Sequence, residues 1–331
     1  MAVKVLHLGS RMRYETYDPH TQFSDAAEKI YVPMNAPLEE ILAAGGDADY
    51  IIADAVASVP AALVEQMPHL KMIHSEGVAF NSFAWREAAQ RGVYVCNCKG
   101  ANAAAVAEQA VFLMLACLRN AGEGDRAVRE GRQIEVKERM MVEGFAELGD
   151  CTVGLVGFGA IAKETAKRLA AFDCRVVYYA RHRATAEEES LYHVFYLPLD
   201  ELLAQSDIVS LHVPVTEETT GMADERFFET MKETAWLINT ARGEIVDNDA
   251  LAAAITGGTI AGAGIDTLAP EPVQADHPLV NLPAPYCDRV FFSPHIGGVT
   301  STMFKKAHRN IWANIERMER GERPENICNG L

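Results

Sequence analysis

Short apolar runs alternate along this chain with segments whose apolar positions recur every three or four residues. The runs at 3–8, 50–53, 72–75 and 93–96 have the length and branched character of buried strands, and 37–44 and 60–67 between them have helical spacing. The pattern resumes with strand candidates at 153–157, 175–179, 193–197, 208–213, 235–239, 262–265 and 290–292, separated by helical segments such as 163–172, 199–205, 225–231 and 247–256. Strands that alternate with helices predict parallel sheets, because a parallel neighbour needs a crossover long enough to hold a helix. Two segments stand apart. The stretch 102–119 is helical but apolar on most faces, which predicts burial both in its own domain and against a second subunit. The stretch 122–149 is polar and charged and reads as a surface excursion; the amphipathic helix at 302–320 needs a core to join, and the first domain is the expected one.

Length fits two domains, since 331 residues exceed what a single small core usually organises. No internal repeat or low-complexity linker interrupts the pattern. At 49% hydrophobic and 23% charged residues the composition is that of a folded globular protein. No uninterrupted apolar run reaches the length of a membrane span, and the first residues read as a strand, so a cytoplasmic protein with no membrane partner is expected. Seven cysteines without scaffold spacing suit a reducing compartment, and Cys96-Asn97-Cys98 has neither redox nor zinc spacing, so no metal is expected. A net charge of −16 argues against a nucleic-acid or anionic-membrane surface. An anionic ligand must then be met by a local basic site.

Candidate chemistry begins at residues 153–162, where an apolar run ends in Gly157-Phe158-Gly159-Ala160-Ile161-Ala162. This G-x-G-x-x-A spacing between a strand and a helix predicts a dinucleotide cradle: Gly157 permits the tight turn, Gly159 the close approach of phosphate, and Ala162 the packing of helix on strand. The second strand then ends in Ala180-Arg181-His182-Arg183. A carboxylate expected there for the ribose hydroxyl of NAD is missing, and two guanidiniums stand where a 2′-phosphate would lie, so NADP(H) is the predicted cofactor with NAD(H) as the alternative. Three later strands each end in polar residues: 238–243 with Arg242, 264–272 with Glu271, and 292–298 with His295. Ligands of open α/β sheets bind at the carboxyl ends of strands, so these three residues are candidates for one site.

Together, the segments G-F-G-A-I-A, H-V-P-V-T-E-E-T at 212–219, N-T-A-R-G at 239–243, D-T-L-A-P-E-P at 266–272 and S-P-H-I-G-G at 293–298 resemble the D-isomer-specific 2-hydroxyacid dehydrogenase family. The resemblance extends upstream to 74–81 and to Val106-Ala107-Glu108. It implies an α/β fold of two doubly wound parallel-sheet domains: a discontinuous flavodoxin-like substrate domain of residues 1–100 and 296–331, and a Rossmann cofactor domain of residues 101–295, hinged at two chain crossings. It also implies a homodimer formed through the cofactor domain. By position, Arg242 matches the family's substrate-binding arginine, Glu271 its carboxylate and His295 its acid/base, while the amides of Gly77 and Val78 match the loop that holds the substrate carboxylate. Ala160, Ile161, His212, Val213, Pro214, Thr219, Thr240, Ala241, His295 and Gly297 would line the cofactor groove, and Asp266 would hold the nicotinamide carboxamide. Ala162 stands for the usual third glycine, Ala79 for a common glycine, and Ala180 for the NAD-type acid.

The implied reaction is reduction of a small 2-oxo acid to the D-2-hydroxy acid. Arg242 would bridge the carboxylate and the carbonyl oxygen, and His295, paired with Glu271, would donate the proton. A corepressor branch of the same family, which uses the fold as a dinucleotide-sensing binding module, is the alternative. Substrate identity is left open, because the loops at 11–17, 75–80 and 286–289 are expected to set it; Arg11, Arg13 and Arg289 are candidates there for a second anionic group.

Overall fold

A computed structural model describes residues 2–331 and divides them into two compact units, the described part of Met1–Asn102 with Val299–Leu331, and Ala103–Gly298. The first holds a parallel sheet of β1 (Lys4–Leu8), β2 (Glu28–Val32), β3 (Tyr50–Ala53), β4 (Met72–Ser75) and β5 (Tyr94–Cys96), in the order β2-β1-β3-β4-β5. This is the flavodoxin-like order. Period-two alternation divides its side chains between two layers. Leu6, Ile51, Ile73 and Val95 pack with Ile41, Leu63, Val64 and Ala88 from the crossover helices. Val5, Tyr50, Ile52 and Met72 pack on the opposite face with Tyr14 and with Ala307, Ile311, Trp312 and Ile315 of the helix Ser301–Glu319.

The second unit holds β6 (Thr152–Val156), β7 (Arg175–Tyr179), β8 (Val194–Tyr196), β9 (Ile208–Leu211), β10 (Trp236–Asn239), β11 (Gly262–Ile265) and β12 (Val290–Phe292). Their order, β12-β11-β10-β9-β6-β7-β8, is the doubly wound dinucleotide-binding order extended by one strand. All four residues of β9 and of β11 are buried, as expected where helices cover both faces of a parallel sheet. The apolar helix Ala103–Leu118 joins one face, where Ala110, Leu113, Met114 and Cys117 meet Leu155, Tyr178 and Ile238.

One local expectation is corrected, and three segments hold elements that the sequence pattern did not mark. Residues 122–149, read as a surface excursion, are mostly helical, with helices Ala121–Arg129 and Gln133–Glu143 sharing a small core of Ala127, Val136 and Met140. The 11–17 loop is a helix, Arg11–Tyr17, capped by the Ser10 hydroxyl and anchored by the buried Tyr14. Strand β2 has no apolar run because it is an edge strand with only Val32 fully buried. The helix Ala186–Tyr192 buries no residue fully and is started instead by the Thr185 cap and three glutamates in its first turn.

Candidate active site

Strands β10, β11 and β12 are neighbours, and the residues that follow their carboxyl ends include Arg242, Asp266 with Glu271, and His295 respectively. The loop after β10 is tied by Asn239, whose Nδ2 donates to the Arg242 carbonyl at 2.9 Å and whose Oδ1 accepts from Ala241 N–H at 3.0 Å. Gly243 follows because the backbone of Leu268 crosses there: a β-carbon on Gly243 would lie 2.1 Å from the Leu268 carbonyl carbon. Arg242 is therefore presented from a fixed loop. It is exposed, and among the described residues its guanidinium meets only the neighbouring Ala241 carbonyl, at 2.7 Å.

His295 sits in a turn with φ of 54°, a left-handed conformation uncommon for a residue with a β-carbon. Buried Asp266 explains how that turn persists. Its carboxylate accepts the Ser293 hydroxyl at 2.5 Å, Ile296 N–H at 3.1 Å and Gly297 N–H at 2.9 Å, and its carbonyl accepts His295 N–H at 2.9 Å. Gln109 extends the network by donating to the Ser293 hydroxyl at 2.9 Å. The imidazole Nδ1 of His295 lies 2.9 and 2.8 Å from the two oxygens of Glu271. This leaves Nε2 available to exchange a proton. Asp266, assigned to the nicotinamide carboxamide by resemblance, thus spends most of its acceptor capacity on the turn that presents His295.

The dinucleotide cradle is built from β6 and the helix Ala160–Ala170. Gly157 has φ of 98°, and a β-carbon there would lie 2.6 Å from the carbonyl oxygen of His212, so the turn needs glycine. Gly159 caps the helix without a side-chain bond, leaving the first-turn N–H groups of Ala160, Ile161 and Ala162 for an anion. On the next strand, His212 bonds Ser210 at 2.9 Å, and desolvation lowers its pKa to about 4, so its ring stays neutral. Val213 and Pro214 continue from it, and Thr219 closes that loop by donating to the Pro214 carbonyl at 2.6 Å. Thr240, beside Ala241, is buried and its hydroxyl has no partner among the described residues, an orphaned polar atom of the sort a bound ligand satisfies. An uncapped helix start after a glycine turn and an unmatched hydroxyl two strands away fit a pyridine dinucleotide.

The basic stretch after β7 is less free than its sequence implies. Arg183 makes a double hydrogen bond to Glu189, at 2.8 and 2.9 Å, and with Tyr178 it holds that carboxyl down at about 2. Arg181 is exposed, with Glu218 at 3.8 Å, and His182 is exposed beside it. Arg183 was read as a phosphate ligand; its fork is occupied because Glu189 lies one helical turn into the following element.

In the first unit, the loop after β4 carries Gly77 and Val78. Ser75 Oγ accepts Gly77 N–H at 3.2 Å and donates to the Ala79 carbonyl at 2.6 Å. The N–H groups of Val78 and Ala79 have no acceptor among the described residues, so the pair available to a carboxylate is displaced by one residue from the one read in the sequence. Of the other basic candidates, Arg11 pairs with Glu15 at 2.8 Å, Arg289 lies 5.5 Å from the ring centre of Tyr286, and Arg13 is held by Glu76 and Asp54. The sequence reading missed this last cluster. Its signal was present: Asp54 and Glu76 each end an apolar strand, as Asn239, Asp266 and Ser293 do.

The family model described as "D-isomer specific 2-hydroxyacid dehydrogenase, NAD binding domain" matches residues 111–297. A glyoxylate reductase of Thermofilum pendens is 37% identical over 291 residues, which cover 88% of this chain and 84% of the relative. The holo form of Rhodotorula graminis D-mandelate dehydrogenase superposes with a TM-score of 0.85 at 28% identity, covering 99% of this chain and 98% of that one. D-lactate dehydrogenase of Aquifex aeolicus, complexed with NAD and lactic acid, gives 0.80 at 25% identity and 99% coverage of both.

Proposed function

Because the chain belongs to the D-isomer-specific 2-hydroxyacid dehydrogenase family, and is thereby an NAD(P)-dependent 2-hydroxyacid dehydrogenase, we propose that it reduces a small 2-oxo acid of the glyoxylate or pyruvate type with NADPH as the favoured donor. The observation that carries the reading is the bond between Glu271 and His295 Nδ1 on a turn locked by Asp266, two strands from the loop of Arg242.

The bound nicotinamide supplies the hydride. The chain's residues supply the rest. Arg242, whose guanidinium among the described residues is bonded only to its neighbouring carbonyl, stabilises negative charge on the carbonyl oxygen and engages the carboxylate. His295 delivers a proton from Nε2 while Glu271 fixes the ring and its tautomer through Nδ1. Ala160, Ile161 and Ala162 receive the pyrophosphate at the helix start.

NADPH preference is supported by Ala180, which withdraws the acid that a 2′-hydroxyl would need, and by exposed Arg181 and His182. The commitment of Arg183 to Glu189 makes this a preference rather than an exclusion of NADH. Steady-state kcat/KM for glyoxylate with each nucleotide tests both statements: a higher value with NADPH is expected, and a higher value with NADH refutes the preference.

A homodimer formed through the second unit is part of the same reading. Helices Ala121–Arg129 and Gln133–Glu143 expose Val128, Ile134, Met141 and Val142, the last at 89%, and Val128 and Met141 line an apolar groove with Phe145. An apolar surface of this kind on an otherwise strongly charged chain suits a second copy of itself. Sedimentation equilibrium tests it.

A further inference from the structure

Proton delivery by His295 depends on Glu271, and Glu271 stands in an irregular segment of the second unit. Every residue from Pro270 to Asp276 is exposed, and among the described residues the Glu271 carboxylate bonds only His295 Nδ1. A segment of this kind left free samples many conformations, and a misplacement of about 1 Å is enough to lose a catalytic contact. Its two ends must therefore be fixed.

The first end is Ala269. The backbone of Leu268 and Ala269 crosses directly over Gly243. The Ala269 carbonyl accepts two hydrogen bonds: from Asn248 Nδ2 at 2.8 Å, at the start of the helix Asn248–Gly257, and from His277 Nε2 at 3.2 Å. The second end is His277 itself, which is buried and whose Nδ1 accepts Leu279 N–H at 3.3 Å. Because Nδ1 is an acceptor, the neutral ring carries its proton on Nε2 and donates it to Ala269. Leu279 in turn lies in the apolar core with Leu251, Ile255, Ile265 and Val290. The imidazole thus closes the loop at its neck, tying both ends to the core while the residues between them stay in solvent, as in a compact surface loop.

We propose that His277, seconded by Asn248, is a positioning residue for the reaction: by anchoring the Ala269 carbonyl it holds Glu271 against His295 Nδ1. The proposal rests on the reductase reading, in which His295 delivers the proton. Backbone groups occupy both ring nitrogens of His277, so its effect on the reaction passes through Glu271.

The test is a double-mutant cycle on kcat for glyoxylate, with the full chain saturated with NADPH. His277→Asn keeps an acceptor for Leu279 N–H and loses the donor to Ala269; His277→Gln places an amide N–H near the Nε2 position and keeps that donor. His277→Asn is expected to lower kcat about 10–100-fold with NADPH affinity unchanged by fluorescence titration, and His277→Gln to stay within about threefold of the wild type. In a Glu271→Gln background, His277→Asn is expected to lower kcat by no more than about twofold further, since the carboxylate it positions is already gone. A merely structural role would lower kcat by the same factor in both backgrounds and would penalise Asn and Gln alike. Should His277→Asn fold poorly, Asn248→Ala removes the other donor to Ala269 and is expected to give the same cycle. Equal falls in the two backgrounds, a Gln variant as slow as the Asn variant, or an Asn variant as fast as the wild type each overturn the proposal and leave the reductase reading intact. A Glu271→Gln variant as fast as the wild type, or a wild type that reduces neither glyoxylate nor pyruvate, overturns the proton-delivery reading and this proposal with it.

Discussion

Acidification is expected to destabilise the first unit through histidines that the fold keeps neutral. His7 is buried among Tyr14, Tyr31 and Trp312, neither of its ring nitrogens has a partner among the described residues, and desolvation lowers its pKa from 6.5 to about 3. His74, also buried, is lowered to about 4 by desolvation; its Nδ1 donates to the Ser75 carbonyl and its Nε2 accepts from Asn314. Above pH 6.5 both rings are neutral whether the chain is folded or unfolded, so neither contributes to pH dependence there. Below it, the unfolded chain binds protons that the folded chain refuses, and stability falls until the pH reaches about 3–4. At pH 5 the loss is about 2 kcal/mol for each ring, about 4 kcal/mol for the pair. His7→Phe isolates one contribution. Replacing a ring with two unmatched nitrogens by an apolar ring of similar shape should leave stability at pH 7.5 unchanged or raised, and should remove about 2 kcal/mol of the difference between pH 7.5 and pH 5. Urea unfolding followed by tryptophan fluorescence at both values measures it, since Trp312 lies 6.3 Å from His7. If the variant loses as much stability on acidification as the wild type, the neutral-histidine account is wrong.

Other predictions concern the second unit. Gly157→Ala forces a β-carbon into a left-handed turn and against the His212 carbonyl, costing at least about 1–2 kcal/mol, and should weaken NADPH binding more than tenfold by fluorescence titration; unchanged affinity would remove the turn from the cradle. Asp266→Asn presents an amide nitrogen to one of the buried donors that hold the His295 turn, so a stability loss of about 1–3 kcal/mol by thermal melting and a lower kcat are expected together; a normal kcat would mean that the turn does not depend on Asp266. Val142→Asp puts a charge on the most exposed apolar position of the paired helices and should convert a dimer to a monomer in sedimentation experiments with glyoxylate binding otherwise intact.

Most of the architecture was legible because parallel strands buried on both faces are written as continuous apolar runs, and each run that ends in a polar residue marks a loop at the ligand-binding edge. Arg242, Glu271 and His295 were found this way. The same rule marked Asp54 and Glu76, but their cluster is completed by Arg13, in a helix with a single buried residue, and by His308, on a helix 232 residues further along than Glu76. Local pattern carries no information about such a meeting. Glu189 was closer to hand, six residues beyond Arg183, and the acidic first turn of its helix was the clue that this arginine had a partner. The helices at 121–129 and 133–143 were missed because they bury only three side chains between them and mix charged with apolar residues on their exposed faces.

The account turns on proton delivery by His295. Single-turnover reduction of glyoxylate by enzyme preloaded with NADPH, followed as loss of reduced-nicotinamide absorbance, tests this directly when wild type is compared with His295→Ala at equal nucleotide saturation. A fall in the hydride-transfer rate of about 10²–10⁴-fold, with NADPH affinity retained, is the expected result. A variant that turns over glyoxylate at close to the wild-type rate contradicts it.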